Sequence, residues 1–284
     1  MSTIAFLGTG LLGSAFAEAA AKRGDTVTAW NRSPAKVQAL AEFGVKPAAT
    51  PADAVRGASR VHMVLKDDVV VEEVIAAARA GLSADTILID HSTTLPALTA
   101  KRMEQLQAAG LHYLHCPVFM GPPAARNAQG SMMVAGPKAL YDTVAADLAK
   151  MTGKVLYMGE RSDLAAANKL FGNAMIIGMA AIIADVLTLA QASNVDGKDA
   201  IELLGLLDLN GMVKGRGANM AAGNFTPSFE LTMARKDIAL MLEATGHRPM
   251  AALPAVAARM DQLIEQGHGA EDACVLGFDA VKRG

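Results

Sequence analysis

Two cysteines, Cys116 and Cys274, are too few for a disulfide framework in a chain of 284 residues, and a reducing compartment is the expectation. Aromatic residues make up only 4%, and neither sign of charge dominates: 26 basic residues face 28 acidic ones, a formal charge of −2. Without a long run of either sign, a nucleic-acid footprint and a polybasic membrane patch are excluded. The opening MSTIAFLG lacks the charged start and long apolar core of a signal peptide. The longest uninterrupted apolar run, AMIIGMAAIIA (174–184), stops at Asp185 and is too short for a bilayer. A soluble, cytoplasmic protein is expected, with neither membrane nor nucleic acid as a partner.

What is abundant is apolar: 52% of residues, with few aromatics among them, enough for a sizeable core and rich in helix formers. Short strand-like runs recur with helical segments between them: TIAFLG, TVTAWN (26–31), RVHMVLK (60–66), TILIDHS (86–92), LHYLHCPV (111–118), MMVAG and KVLYMG (154–159). This alternation predicts a parallel, doubly wound α/β sheet. After Gly159 the strand signal stops, and a single apolar helix is expected from Asp163 to about Ser193, with Ser162 or Asp163 as its cap. The predicted domains are therefore 1–161, a dinucleotide-binding Rossmann unit; 162–193, a linking helix; and 194–284, an all-helical domain. A helix apolar around most of its girth must be covered by a domain or a second subunit, so a homodimer or homotetramer is expected.

GTGLLG fits the G-x-G-x-x-G pattern at Gly8, Gly10 and Gly13. It follows the first strand directly and opens a helix, the context in which the glycines allow a tight turn, approach of a pyrophosphate and helix–strand packing. Thr9, Leu11 and Leu12 complete the loop. At the end of the second strand, where an Asp or Glu would grip the ribose 2′-hydroxyl of NAD, the chain reads Asn31, Arg32, Ser33 and, further on, Lys36. A guanidinium without a competing carboxylate predicts NADP, with NADPH preferred over NADH. HYLHC puts His112 and Cys116 on one strand face and His115 on the other; these do not converge, and no metal is expected.

LAAANKLFGNAM (164–175) places Lys169 one helical turn before Asn173 in an otherwise apolar run. A lysine and an amide on one face of such an element form a candidate site. Three further stretches flank it in order: DHSTTLP (90–96), GPPAARNAQGSMMVAGP (121–137) and FTPSFELTMARKDIAL (225–240). Together these motifs resemble the β-hydroxyacid dehydrogenase family, which includes 3-hydroxyisobutyrate dehydrogenases, tartronate semialdehyde reductases and glyoxylate/succinic semialdehyde reductases. The resemblance covers essentially the whole chain. It implies a Rossmann domain, a long linking helix and a helical domain. It also implies that Lys169 is the catalytic lysine and Asn173 the substrate-positioning amide, with Ser92 and Thr93 lining the nicotinamide and substrate pocket. Lys236, followed by Asp237, would reach back to the site on closure, and VLKD (64–67), with Leu65 and Lys66, would cover the cofactor.

The chemistry calls for an amine. Hydride delivered to a carbonyl carbon builds negative charge on oxygen, which an ammonium stabilises and then protonates; in reverse the neutral amine accepts the proton. Apolar surroundings lower a lysine's pKa towards working pH. One departure stands out. The family's Ser-Gly-Gly substrate clasp is replaced by Phe119, Met120 and Gly121, so a less polar or larger substrate is expected, with Arg126 or Arg216 as possible anchors. KDD (66–68) reads as a solvated loop tip and Cys274 as buried filler. The expected activity is an NADP-dependent oxidoreductase interconverting a small aldehyde or keto acid of semialdehyde type and its hydroxy acid. The alternatives are an imine reductase-like enzyme, a group that generally lacks the lysine, and a non-catalytic NADP-binding module.

Overall fold

The structure is a computed structural model that describes residues 2–246 and 248–281. β1 (Thr3–Leu7), β2 (Thr26–Trp30), β3 (Lys46–Pro47), β4 (Arg60–Met63), β5 (Ile87–Asp90) and β6 (His112–His115) form the first run of strands. Between them lie α1 (Leu11–Lys22), α2 (Pro34–Gln38), α3 (Pro51–Val55), α4 (Asp68–Ala78) and α5 (Pro96–Ala108). β7 (Val118–Phe119), α6 (Pro122–Arg126), β8 (Ser131–Ala135), α7 (Lys138–Leu148) and β9 (Lys154–Gly159) follow. Strand order is β3-β2-β1-β4-β5-β6-β8-β7, with β9 paired to β8.

β1 shows why the strands read as continuous apolar runs. Ile4 and Phe6 enter one core cluster while Ala5 and Leu7 enter the other, so both faces of the sheet are covered by helices. The expected Rossmann architecture is present, with one correction. The sheet is not parallel throughout, because β8 runs antiparallel to both β6 and β7. The segment joining Phe119 to Ser131 is too short for the crossover a parallel partner requires. Strand β4 also ends earlier than the apolar run RVHMVLK suggests, at Met63, leaving Val64 to face the glycine loop.

α8 (Leu164–Ala192) is a single helix of 29 residues, followed by α9 (Gly197–Leu204), α10 (Leu209–Ala222), α11 (Leu231–Thr245) and α12 (Leu253–Leu263). The chain divides into two compact units, Met1–Asn173 and Ala174–Gly284, so the division falls within α8. Its first turns belong to the N-terminal unit because Ala165 packs against Met133 and Ala135 of β8. Within the C-terminal unit, Leu231, Ala234 and Ile238, spaced along one face of α11, meet Ala257, Met260 and Leu263 of α12. Asp163 stands at the N-cap position of α8, its carbonyl accepting the Ala167 N–H at 2.9 Å, while Arg161 grips its carboxylate at 2.7 and 2.9 Å. By length and composition alone, α8 is long and apolar enough to cross a membrane. This corrects the reading from its uninterrupted apolar core, since the flanking alanines extend the run past Lys169 and Asp185.

Candidate active site

β1 ends at Leu7 and turns at once into the glycine loop. Gly8 stands at φ +95°, and a Cβ there would lie 2.3 Å from the Val64 carbonyl oxygen. A Cβ on Gly13 would lie 2.1 Å from the Gly8 carbonyl oxygen, whereas Gly10 faces open space. The outer glycines therefore serve close packing, and the middle one leaves the approach to the helix clear. Gly10 caps α1 without any side-chain bond, so the first N–H groups of the helix remain available to an anion. The buried hydroxyl of Thr9 has no hydrogen-bond partner among the described residues. An orphaned hydroxyl beside free helix amides fits the pyrophosphate of a dinucleotide. Leu11 is exposed and Leu12 half-buried at the mouth of the loop.

Asn31 joins this loop to the end of β2: its Oδ1 accepts the Thr9 N–H at 3.0 Å, and its Nδ2 donates to the Ser33 carbonyl at 3.2 Å. Ser33 and Lys36 are exposed around the start of α2. Arg32 extends over the surface to Glu73 of α4, Nη2 to Oε2 3.2 Å. The carboxylate missing from residues 31–36 thus arrives across the fold, which no local reading of the chain could show.

The loops after β4 and β5 are fastened to each other. Ser92 Oγ accepts the Leu65 N–H at 3.0 Å, and Asp90 Oδ1 accepts the Ser92 N–H at 2.9 Å. Tyr113 donates to the other Asp90 oxygen at 2.8 Å. Arg102, 1% exposed, lies behind them, bonded to Asp68 and Glu72 at 2.7 Å each and 3.8 Å from Asp90. Burial on its own would weaken the guanidinium's hold on its proton, but Tyr113, Asp68 and Asp90 outweigh it and push its pKa up. KDD is therefore not a solvated tip. Asp67 caps α4 by accepting the Val70 N–H, and Asp68 also accepts the Leu95 N–H; the solvated Lys66 lies 3.7 Å from the partly exposed Asp67 carboxylate. Ser92 is buried, with its hydroxyl committed to the loop, while Thr93 is half-buried and its side chain makes no hydrogen bond among the described residues. His115 bonds the Ser92 carbonyl and Thr94, so its face of β6 supports the same loop rather than a metal.

From the carboxyl end of β6 the chain passes Cys116, whose carbonyl meets His91, and reaches Phe119, Met120 and exposed Gly121. Here α8 comes in. Lys169 Nζ lies 4.1 Å from the centroid of the Phe119 ring. The lysine is half-buried, and burial lowers its pKa. Among the described residues it makes no ion pair. Asn173, one turn on, is half-buried too. A poised amine and an amide on one helical face can protonate and hold a small polar group.

Other expectations are redirected. Arg126 is held by Glu18 at 2.7 Å, and Arg216 by Asp272 at 3.4 Å, so neither stands free as a substrate anchor. Lys236 and Asp237 lie on α11 in the C-terminal unit, paired with each other at 2.9 Å. Cys274 is buried, with Arg216 near its sulfur. Glu73, Arg102 and Gly172 were invisible as site residues in the sequence. The only signal available was Asp90, a buried strand-end acid that demanded a partner.

Residues 3–159 match the NAD binding domain of 6-phosphogluconate dehydrogenase. The 3-sulfolactaldehyde reductase of Escherichia coli is 27% identical, covering 96% of this chain and 93% of that protein. Glyoxylate/succinic semialdehyde reductase 1 of Arabidopsis thaliana is 28% identical, covering 90% and 89%. Among solved structures, an imine reductase from Pseudomonas sp. superposes with a TM-score of 0.88 at 19% identity, covering 98% of this chain and 99% of that one, a likeness of fold. The expected class, an oxidoreductase acting on a CH–OH group, is that of the named relatives. With its glycine loop, its strand-end clamp and more than half its length matched, the chain belongs to the 6-phosphogluconate dehydrogenase and 3-hydroxyisobutyrate dehydrogenase family of NAD(P)-binding oxidoreductases.

Proposed function

We propose that this protein is an NADPH-preferring reductase of small aldehydes or keto acids of semialdehyde type, running as a hydroxy-acid dehydrogenase in reverse. The observation that carries the proposal is the half-buried Lys169 amine, without an ion pair among the described residues and one turn from Asn173. The relatives named for 3-sulfolactaldehyde and for glyoxylate and succinic semialdehyde support an aldehyde substrate. Arg32 supports the 2′-phosphate.

A nicotinamide coenzyme, when bound, would supply the hydride. Gly10 and the first amides of α1 would hold its pyrophosphate, and the clamp from Arg102 through Asp90 to Ser92 fixes the loop bearing Thr93. Lys169 donates a proton to the substrate oxygen as charge builds there; in oxidation its neutral amine takes that proton back. Asn173 orients the oxygen towards the amine.

A second reading, an imine reductase-like activity, draws on Phe119 and Met120, which give the site an apolar wall in place of small polar residues. Turnover of NADPH over a panel of glyoxylate, succinic semialdehyde, bulkier aldehydes and cyclic imines separates the two. Lys169→Ala should lower kcat for carbonyl reduction by about 10²–10⁴-fold and leave NADPH affinity within about threefold; retained kcat refutes the lysine's role.

A further inference from the structure

The Phe119 ring is held from several sides. Phe119 pairs with Ser131 across β7 and β8, and its side chain packs in the cluster of Met133, Ala135 and Ala165. On α8, Gly172 leaves the ring its space: a Cβ at that position would lie 2.1 Å from Phe119 Cζ and 2.6 Å from Cε1. Gly130, at φ +88°, does the same for the backbone, since a Cβ there would lie 2.7 Å from the Phe119 carbonyl oxygen. On this fixed platform stands the Lys169 ammonium, 4.1 Å from the centroid and well inside the roughly 6 Å reach of a cation–π contact.

Acids of the surrounding elements are committed elsewhere. Asp163 is bound by Arg161, Glu18 by Arg126 and Lys22, and Asp90 by Tyr113 and Arg102. The Tyr157 hydroxyl donates to the Gly136 carbonyl, and His115 is engaged with Ser92 and Thr94. Among the described residues of the N-terminal unit, the Phe119 ring face is set against the amine.

We infer that Phe119, seated against Gly172, is the positioning residue of Lys169, and that its ring face takes the place of a counter-ion for the ammonium. The inference rests on the acid–base role proposed above for Lys169 and extends it. Burial favours the neutral amine; the negative ring face favours the cation. The ring face thus opposes the effect of burial and helps hold the ammonium where a carbonyl oxygen can take its proton.

Fluorinated phenylalanines at position 119 test this, because they keep the ring's shape while removing its negative face. The readout is direct titration of the Lys169 amine by NMR after 13C-methylation, its signal assigned by absence in Lys169→Arg. From phenylalanine to pentafluorophenylalanine the midpoint should fall stepwise, by about half to one pH unit, and the alkaline limb of kcat/KM for carbonyl reduction, where the ammonium gives up its proton, should move down with it. A midpoint independent of fluorination overturns the inference. Gly172→Ala should lower kcat about tenfold with NADPH affinity unchanged, and should have an effect within about twofold in a Phe119→Leu background, where the collision is relieved. Equal effects in both backgrounds also overturn it. If Lys169→Ala retained kcat, the catalytic reading would fall, yet the NMR titration would still decide the role of Phe119.

Discussion

At Arg32 the chain offers a guanidinium for a phosphate, but the folded protein already gives that guanidinium a partner. The Arg32–Glu73 pair is exposed on both sides, and such pairs contribute about 0–1 kcal/mol, so a 2′-phosphate can displace the carboxylate at little cost. Two outcomes follow from the proposed cofactor preference. Arg32→Ala should lower kcat/KM for NADPH by about ten- to a hundredfold, leaving NADH within about threefold. Glu73→Gln should do the opposite on a smaller scale, lowering the KM for NADPH about two- to fivefold. Steady-state kinetics with both coenzymes check the pair; an unchanged NADPH/NADH ratio in Arg32→Ala would refute the assignment.

Among the elements, α12 shows how a single carboxylate fixes a helix. Asp185, 1% exposed on α8, accepts the N–H groups of Ala251, Ala252 and Leu253 at 2.5, 2.9 and 2.8 Å, the orphan donors at the start of α12. Burial alone would raise its carboxyl, but the three backbone donors outweigh that and hold its pKa below the usual range. A folded-state value below the unfolded one means that the bonds stabilise the fold above the unfolded pKa of about 3.9, and that this stability is lost as pH falls through the folded value. Asp185→Ala should cost about 1–3 kcal/mol in urea unfolding at pH 7. The gap from wild type should hold to about pH 5 and narrow below about pH 4. A gap that does not change with pH would assign the effect to packing instead.

At the scale of the whole molecule, α8 presents a surface that a single chain leaves bare. Ile176, Ile177 and Met179 are 55%, 67% and 48% exposed, far from the isolated apolar residues expected on a solvated surface. The homo-oligomer expected from the sequence would cover this face. Burying an isoleucine contributes about 1.5–3 kcal/mol, and a two-fold interface would count each substitution twice. Ile177→Glu should therefore weaken association more than about a hundredfold, read by sedimentation equilibrium, with unchanged circular dichroism. A wild-type chain that sediments as a monomer would refute the proposal.

Some of this protein was written in short stretches of chain. GTGLLG after a strand, the strand–helix alternation, the helix through Lys169 and Asn173 and the departure at Phe119 all depend on neighbours within a turn or a hairpin, where sequence spacing is spatial spacing. Other features required distant segments to meet. The antiparallel β8, the clamp of Arg102 on Asp90 and Asp68, the pairing of Arg32 with Glu73 and the engagement of Arg126 and Arg216 join residues from about a dozen to more than a hundred positions apart, each plain surface charge or ordinary strand when read alone. Gly172 is the sharpest case. On a helix a glycine signals only lost helix propensity, and its purpose emerges only when a ring from the sheet lies where its Cβ would be. Local chemistry fixed which groups were available; long-range packing decided which of them remained free to react.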